Sequence, residues 1–135
     1  MAFTPTPLTS VTEDERWHDA VKHEYIEIGL VRDEITIVSG TAASDQLTLL
    51  GTVTASGKFT DHDPAASDGS ETASGILYSM DIDASAGDLT AVALVRGPAI
   101  IDFAKLNLIT ALNASQILAA KADLLAVGIK HVDGA

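Results

Sequence analysis

Two acidic turns and four histidines carry the residue types in this chain that could do chemistry. Asp81-Ile82-Asp83-Ala84-Ser85 places side-chain oxygens at alternate positions, as the start of a calcium loop would. A twelve-residue EF-hand loop then needs Gly at its sixth position and Glu at its twelfth. Those positions hold Ala86 and Val92, so the loop does not close on a cation. Asp61-His62-Asp63 stops sooner, because Pro64 stands where the loop must continue. Asp61, Asp63, Asp68, Glu71, Asp81, Asp83 and Asp88 all lie between Phe59 and Val95, with no Lys or Arg among them. They read as solvated turn carboxylates. A sharper reading opens if both turns meet at one end of a sheet, where they would form an electrostatic docking or exclusion surface.

His18, His23, His62 and His131 lack zinc spacing; His18 and His23 are five apart, one residue beyond a single helical face. The chain has no Cys, so it has no disulfide and no thiolate chemistry. Serine-hydrolase, phosphate-loop and dinucleotide motifs are absent. The reading is of a protein that is not an enzyme, with no catalytic residues, no metal site, no cofactor and no small-molecule substrate. Lys121 is the remaining oddity. On a helical wheel Ala114, Ile117, Leu118, Leu124 and Leu125 form one apolar face, and Lys121 falls near its middle. Either its stem lies along apolar surface with the ammonium at the edge, or the face is partly a subunit interface. In that second case Lys121, with Ile117 and Leu124, meets a neighbour's carboxylate and fixes geometry more than it adds stability.

The elements that must position these groups come from an aliphatic chain. Hydrophobic residues make up 47% but aromatics only 4%, so the core is built from small side chains. At 135 residues one domain is expected. The net charge is -11, from 19 acids and 8 bases. It disfavours nucleic acid and anionic membranes, and it favours solubility or a partner with a positive face. No apolar run approaches the roughly 20 residues that span a bilayer, and Met1 to Ser10 lacks the features of a secretory signal.

Residues 1–22 read as a flexible N-terminal arm, Thr/Pro-rich over Ala2 to Ser10. It is either a tail or a segment that orders on binding, with Phe3 and Trp17 as anchors. Residues 23–135 read as a single β-rich domain. Glu24–Val31 alternates with period two; Arg32-Asp33-Glu34 is a polar break; Ile35–Val38 and Leu47–Val53 are further strands. Gly57 marks a turn, Phe59 to Glu71 a loop with Asp68-Gly69 at a turn, and Gly75–Met80, Leu89–Val95 and Ala99–Ile101 extended segments. One helix stands in the C-terminal half. Asn113 caps it with Gln116 in a capping-box pair, Ala114 to Val127 holds no breaker, and Gly128 takes the C-terminal cap position. Ile129–Val132 follows as a terminal strand. The fold class expected is α+β, mostly β.

The order of Gly51-Thr52-Val53, Gly57-Lys58-Phe59, Asp68-Gly69, Ala73-Ser74-Gly75-Ile76-Leu77 and Val95-Arg96-Gly97 resembles that of the lambda-type phage head decoration proteins. The likeness covers about Tyr25 to Ile101, and more weakly the rest. It implies a homotrimer on three-fold positions of the expanded head, at the outer surface of the virion. There it would cement the major capsid protein lattice against DNA pressure. It also implies that the arm orders on the capsid, with Phe3, Pro5, Pro7, Leu8 and Trp17 as its binding residues, and that the interface of Lys121, Ile117 and Leu124 is a trimer interface. Two other readings stay open: a tail or adhesin interaction module, and a small trimeric β enzyme such as a nucleotide hydrolase, for which the sequence offers no glycine-rich phosphate loop.

Overall fold

The computed structural model describes residues 17, 20–24, 32–41 and 43–132 of the chain. In order, the strands are β1 (Val21–Glu24), β2 (Arg32–Ile37), β3 (Leu49–Thr52), β4 (Phe59–Asp61), β5 (Ala73–Leu77), β6 (Leu89–Leu94) and β7 (Ala99–Asp102). A 3-10 turn (Phe103–Lys105), helix α1 (Ala114–Ala126) and β8 (Ile129–Val132) follow. Five strands close a barrel in the order β2-β4-β3-β5-β6, and β1-β7-β8 form a separate sheet. Among the described residues the protein is thus mostly β with a helix in the C-terminal half, as the sequence patterning predicts.

The period of two in a strand sends neighbouring side chains to opposite faces, and here both faces are buried. Leu50 of β3, Leu77 of β5 and Ala93 of β6 point into the barrel and pack with Ile35 and Ile37 of β2. Their chain neighbours Leu49, Ile76 and Leu94 point outward, into a second core shared with Ile101, Phe103, Leu124 and Ile129. Strands covered on both sides read as continuous apolar runs, which is why Leu89 to Val95 lacks alternation. Small residues, Ala91 and Ala93, are what the narrow barrel interior accepts.

Three segments differ from the sequence expectation. Arg32-Asp33-Glu34 is not a break but the first half of β2, paired with β6 residue by residue from Arg32–Leu94 to Ile37–Leu89. Its polar side chains stay outside or at the mouth of the barrel, so ladder pairing overrides their turn propensity. The stretch Phe59 to Glu71 is not all loop: Phe59–Asp61 pairs antiparallel with β3. At Leu47 the backbone takes φ 72°, so the expected third strand starts late, at Leu49. Of Glu24–Val31, all but Glu24 lies outside the described residues, as do Phe3, Pro5, Pro7, Leu8 and His18.

Helix α1 begins as expected. Asn113 Oδ1 accepts from the Gln116 amide at 2.9 Å, while Gln116 Oε1 accepts from the Asn113 amide at 2.9 Å. The helix then returns the chain so that β8 pairs parallel with β7. At that return Gly97 lies against Gly128, which has φ 90°; a Cβ on Gly97 would collide with the Gly128 carbonyl. The Gly97 amide instead donates to the Val127 carbonyl at 2.7 Å.

Candidate functional site

The two acidic segments do meet, and Ser44 is the residue that joins them. Its backbone exchanges two hydrogen bonds with Ile82, both 2.8 Å, and its hydroxyl donates to Asp61 Oδ1 at 2.9 Å. Asp45, Asp81, Asp83 and Asn107 surround the same shallow depression. Burial pushes the Asp61 carboxyl up, and the Ser44 hydroxyl partly reverses that. The exposed acids are stabilised as anions by local donors. Ser70 holds Asp68 below the usual carboxylate range, Ser85 does the same for Asp83, and Lys58 followed by the Ser39 amide does so for Asp88. Among the described residues no group of three or more metal-ligating side chains is assembled. These carboxylates therefore present charge and organise turns.

His62 is buried, with its Nε2 3.1 Å from the Glu71 carbonyl. It ties the loop after β4 to the barrel, a structural role that its sequence neighbours Asp61 and Asp63 did not reveal. The loop is held tightly: a Cβ on Gly51 would stand 2.5 Å from the Ser70 carbonyl oxygen. His131 lies in β8, opposite Ile101 of β7.

The residues expected at an interface divide. Leu124 is 1% exposed and sits in the outer core, and Ile117 is half-buried against it, so both serve the protein's own packing. The buried seam of α1 is Ile117, Ala120 and Leu124, narrower than the predicted face. Leu118 and Leu125 lie beside that seam, 67% and 60% exposed. Lys121 is half-buried between the two, its ammonium 5.6 Å from the Phe103 ring centre. Asp123, on the barrel side, accepts from the Ala73 amide at 3.1 Å and pins the helix to β5.

Trp17 was expected to anchor a partner, and it is instead 0% exposed in the outer core together with Ala20 and Val21. Its ring meets Tyr78 edge-on at 4.9 Å, and the Arg32 guanidinium lies 5.0 Å from the indole and 4.2 Å from the phenol ring. Packing of this kind gives the indole its hydrophobic burial and a cation–π contact at once. The folded body thus reaches back into the segment read as arm. The signal was present as Trp17, Ala20 and Val21 at helical spacing.

A cleft of about 550 Å³ opens where β2 leaves β4, lined by Asp33 to Thr36 on one lip and Ser56 to Phe59 on the other. Arg96 at its end pairs with Asp33 at 2.7 Å. No residue pattern announces this opening, because it arises from strand pairing alone.

The turns and strands that carried the family resemblance occupy β3, β4 and β5 of the barrel wall, the turns beside them, and the turn that follows β6. A search among curated proteins gives no match. The family model of bacteriophage lambda head decoration protein D matches residues 10–129 of the 135, covering the barrel, the outer sheet's β1 and β7, and the whole of α1. The chain belongs to the bacteriophage lambda head decoration protein D family.

Proposed function

We propose that the protein binds three-fold positions on the outer surface of the expanded phage head as a homotrimer, and that it stabilises the major capsid protein lattice against internal DNA pressure. The observation that carries this reading is the family match, which spans nearly the whole chain and gives it a capsid decoration role. A net charge of -11 agrees with a surface that sits over packaged nucleic acid without capturing it. The outward stripe of Leu118 and Leu125, with Lys121 at its border, is the apolar surface on α1 that a neighbouring copy would cover. Phe3, Pro5, Pro7 and Leu8 remain the arm residues proposed to reach the capsid.

Cementing works by linkage: a ligand that binds the expanded shell and not its precursor stabilises the expanded state. Three linked copies turn weak single contacts into tight attachment. The test is co-sedimentation with emptied, expanded heads of the encoding phage, for the full chain and for a variant lacking residues 1–16. Saturation in multiples of three per three-fold site, weakened by the truncation, is expected. Absence of binding by the full chain would overturn the decoration reading.

A further inference from the structure

Among the described residues, the cleft beside β2 has an unfilled row of backbone hydrogen-bonding groups. In an antiparallel ladder successive residues turn their N–H and C=O alternately to the two sides. Val92 of β6 uses both of its groups toward β5: its carbonyl accepts from Tyr78 at 2.8 Å, and its amide donates to Ser79 Oγ at 2.9 Å. Glu34, paired with Val92 across the ladder, therefore turns its own N–H and C=O away from β6, toward β4. Val38, of the same parity, follows this rule and donates to the Phe59 carbonyl at 2.9 Å. Yet β2 and β4 are in register only at Ile37–Phe59. Beyond that point the β3–β4 hairpin turns away at Gly57, φ 72°, and the Lys58 carbonyl accepts from Val53 instead. The amides of Glu34 and Thr36 and the Glu34 carbonyl face the cleft and have no β4 partner among the described residues.

An open strand edge of this kind is a template for another strand. The cleft adds what an added strand needs besides hydrogen bonds. Ile35 and Phe59 give it apolar walls, and Val95 lies at its end. Glu34 is exposed on the lip, and it forms no ion pair among the described residues. Asp33 and Lys58, by contrast, are already paired with Arg96 and Asp88. Resting on the decoration reading above, we infer that this cleft takes an extended segment of the capsid shell as an added partner of β2, with a Lys or Arg set opposite Glu34. Main-chain pairing then supplies affinity, and the cation opposite Glu34 with an apolar residue toward Ile35 supplies choice. Charge argues against a second copy as the occupant, since a chain with 19 acids and 8 bases brings mostly like charge to this lip.

Hydrogen–deuterium exchange of the segment spanning residues 32–37, free and bound to emptied expanded heads, tests the inference. Exchange of the Glu34 and Thr36 amides should slow at least about tenfold on binding, by the protection that new pairing gives. Glu34→Pro removes only the outward amide and leaves the β6 ladder; it should keep the thermal transition while weakening head binding about tenfold or more. If that variant misfolds, Glu34→Lys reads the same surface through its charge and should also weaken binding. Heads that bind the wild-type chain with no slowing at Glu34 and Thr36, and that bind Glu34→Lys as well as wild type, would overturn the cleft while leaving the decoration role standing. Slow exchange already present in the free protein would assign the edge to a neighbouring copy and overturn the capsid assignment.

Discussion

Leu124 and Trp17 illustrate how much the outer core depends on single side chains. Both are essentially without solvent contact. Leu124→Ala should destabilise by about 2–5 kcal/mol and Trp17→Ala by about 3–5 kcal/mol, from lost transfer energy plus the cavity left behind; chemical denaturation at constant pH measures both. Ser44 supports a finer prediction. Its hydroxyl stabilises ionised Asp61, whose pKa in the fold is raised by burial. A carboxyl whose folded pKa lies above its unfolded value costs stability when ionised; that cost begins to fall as pH drops through the folded pKa and is gone only below the unfolded one. Ser44→Ala removes the compensating bond, so its penalty should be largest near about pH 7 and should shrink toward about pH 3.5 as Asp61 takes up its proton in both chains. Parallel melts of the two proteins across that range check it; a penalty independent of pH would mean that the hydroxyl does not act through Asp61.

At the scale of elements, the long periodic segments were legible and the short ones were not. Helix α1 was readable to its caps because Asn113, Gln116 and Gly128 each supply a local signal that packing did not need to override. Asn113→Ala should cost about 1 kcal/mol, seen as a lowered melting temperature. Strand β4 was missed because Phe59–Asp61 is too short to show a period, and it is set in place by β3 and not by its own residues. The helix face was drawn too wide, since a wheel shows which residues are apolar and not which of them meet the core. Ile117, Ala120 and Leu124 meet it, whereas Leu118 and Leu125 do not. The latter pair therefore offers a clean test of the proposed trimer. Leu118→Asp with Leu125→Asp should leave the far-ultraviolet spectrum and the melt of the monomer unchanged while lowering the mass found by sedimentation or abolishing three-fold stoichiometry on heads.

The whole molecule is two cores with a common wall. Because Leu49 and Leu50, Ile76 and Leu77, and Ala93 and Leu94 serve opposite sides of the same strands, neither core can come apart without exposing the other. A single cooperative transition is expected, with calorimetric and van't Hoff enthalpies in agreement; two resolved heat-absorption peaks would refute the shared wall. This double burial also explains a limit of the sequence. Continuous apolar runs announce buried strands but carry no alternation from which pairing order could be deduced. Barrel closure and the gap between β2 and β4 are properties of that order, so the cleft could not be seen before the fold was known. The charge of the chain, by contrast, was legible at once.

The indole of Trp17 is the sole one in the chain, and it is walled in by Tyr78 and Arg32. Its emission should therefore be shifted to the blue and poorly quenched by iodide, and it reports one place, the outer core around Trp17, Ala20 and Val21. The protein thus contains its own optical gauge. A titration with heads that leaves this emission unchanged would show that the packing around Trp17 stays fixed when the particle is dressed, and a change in it would show that docking strains that corner of the outer core.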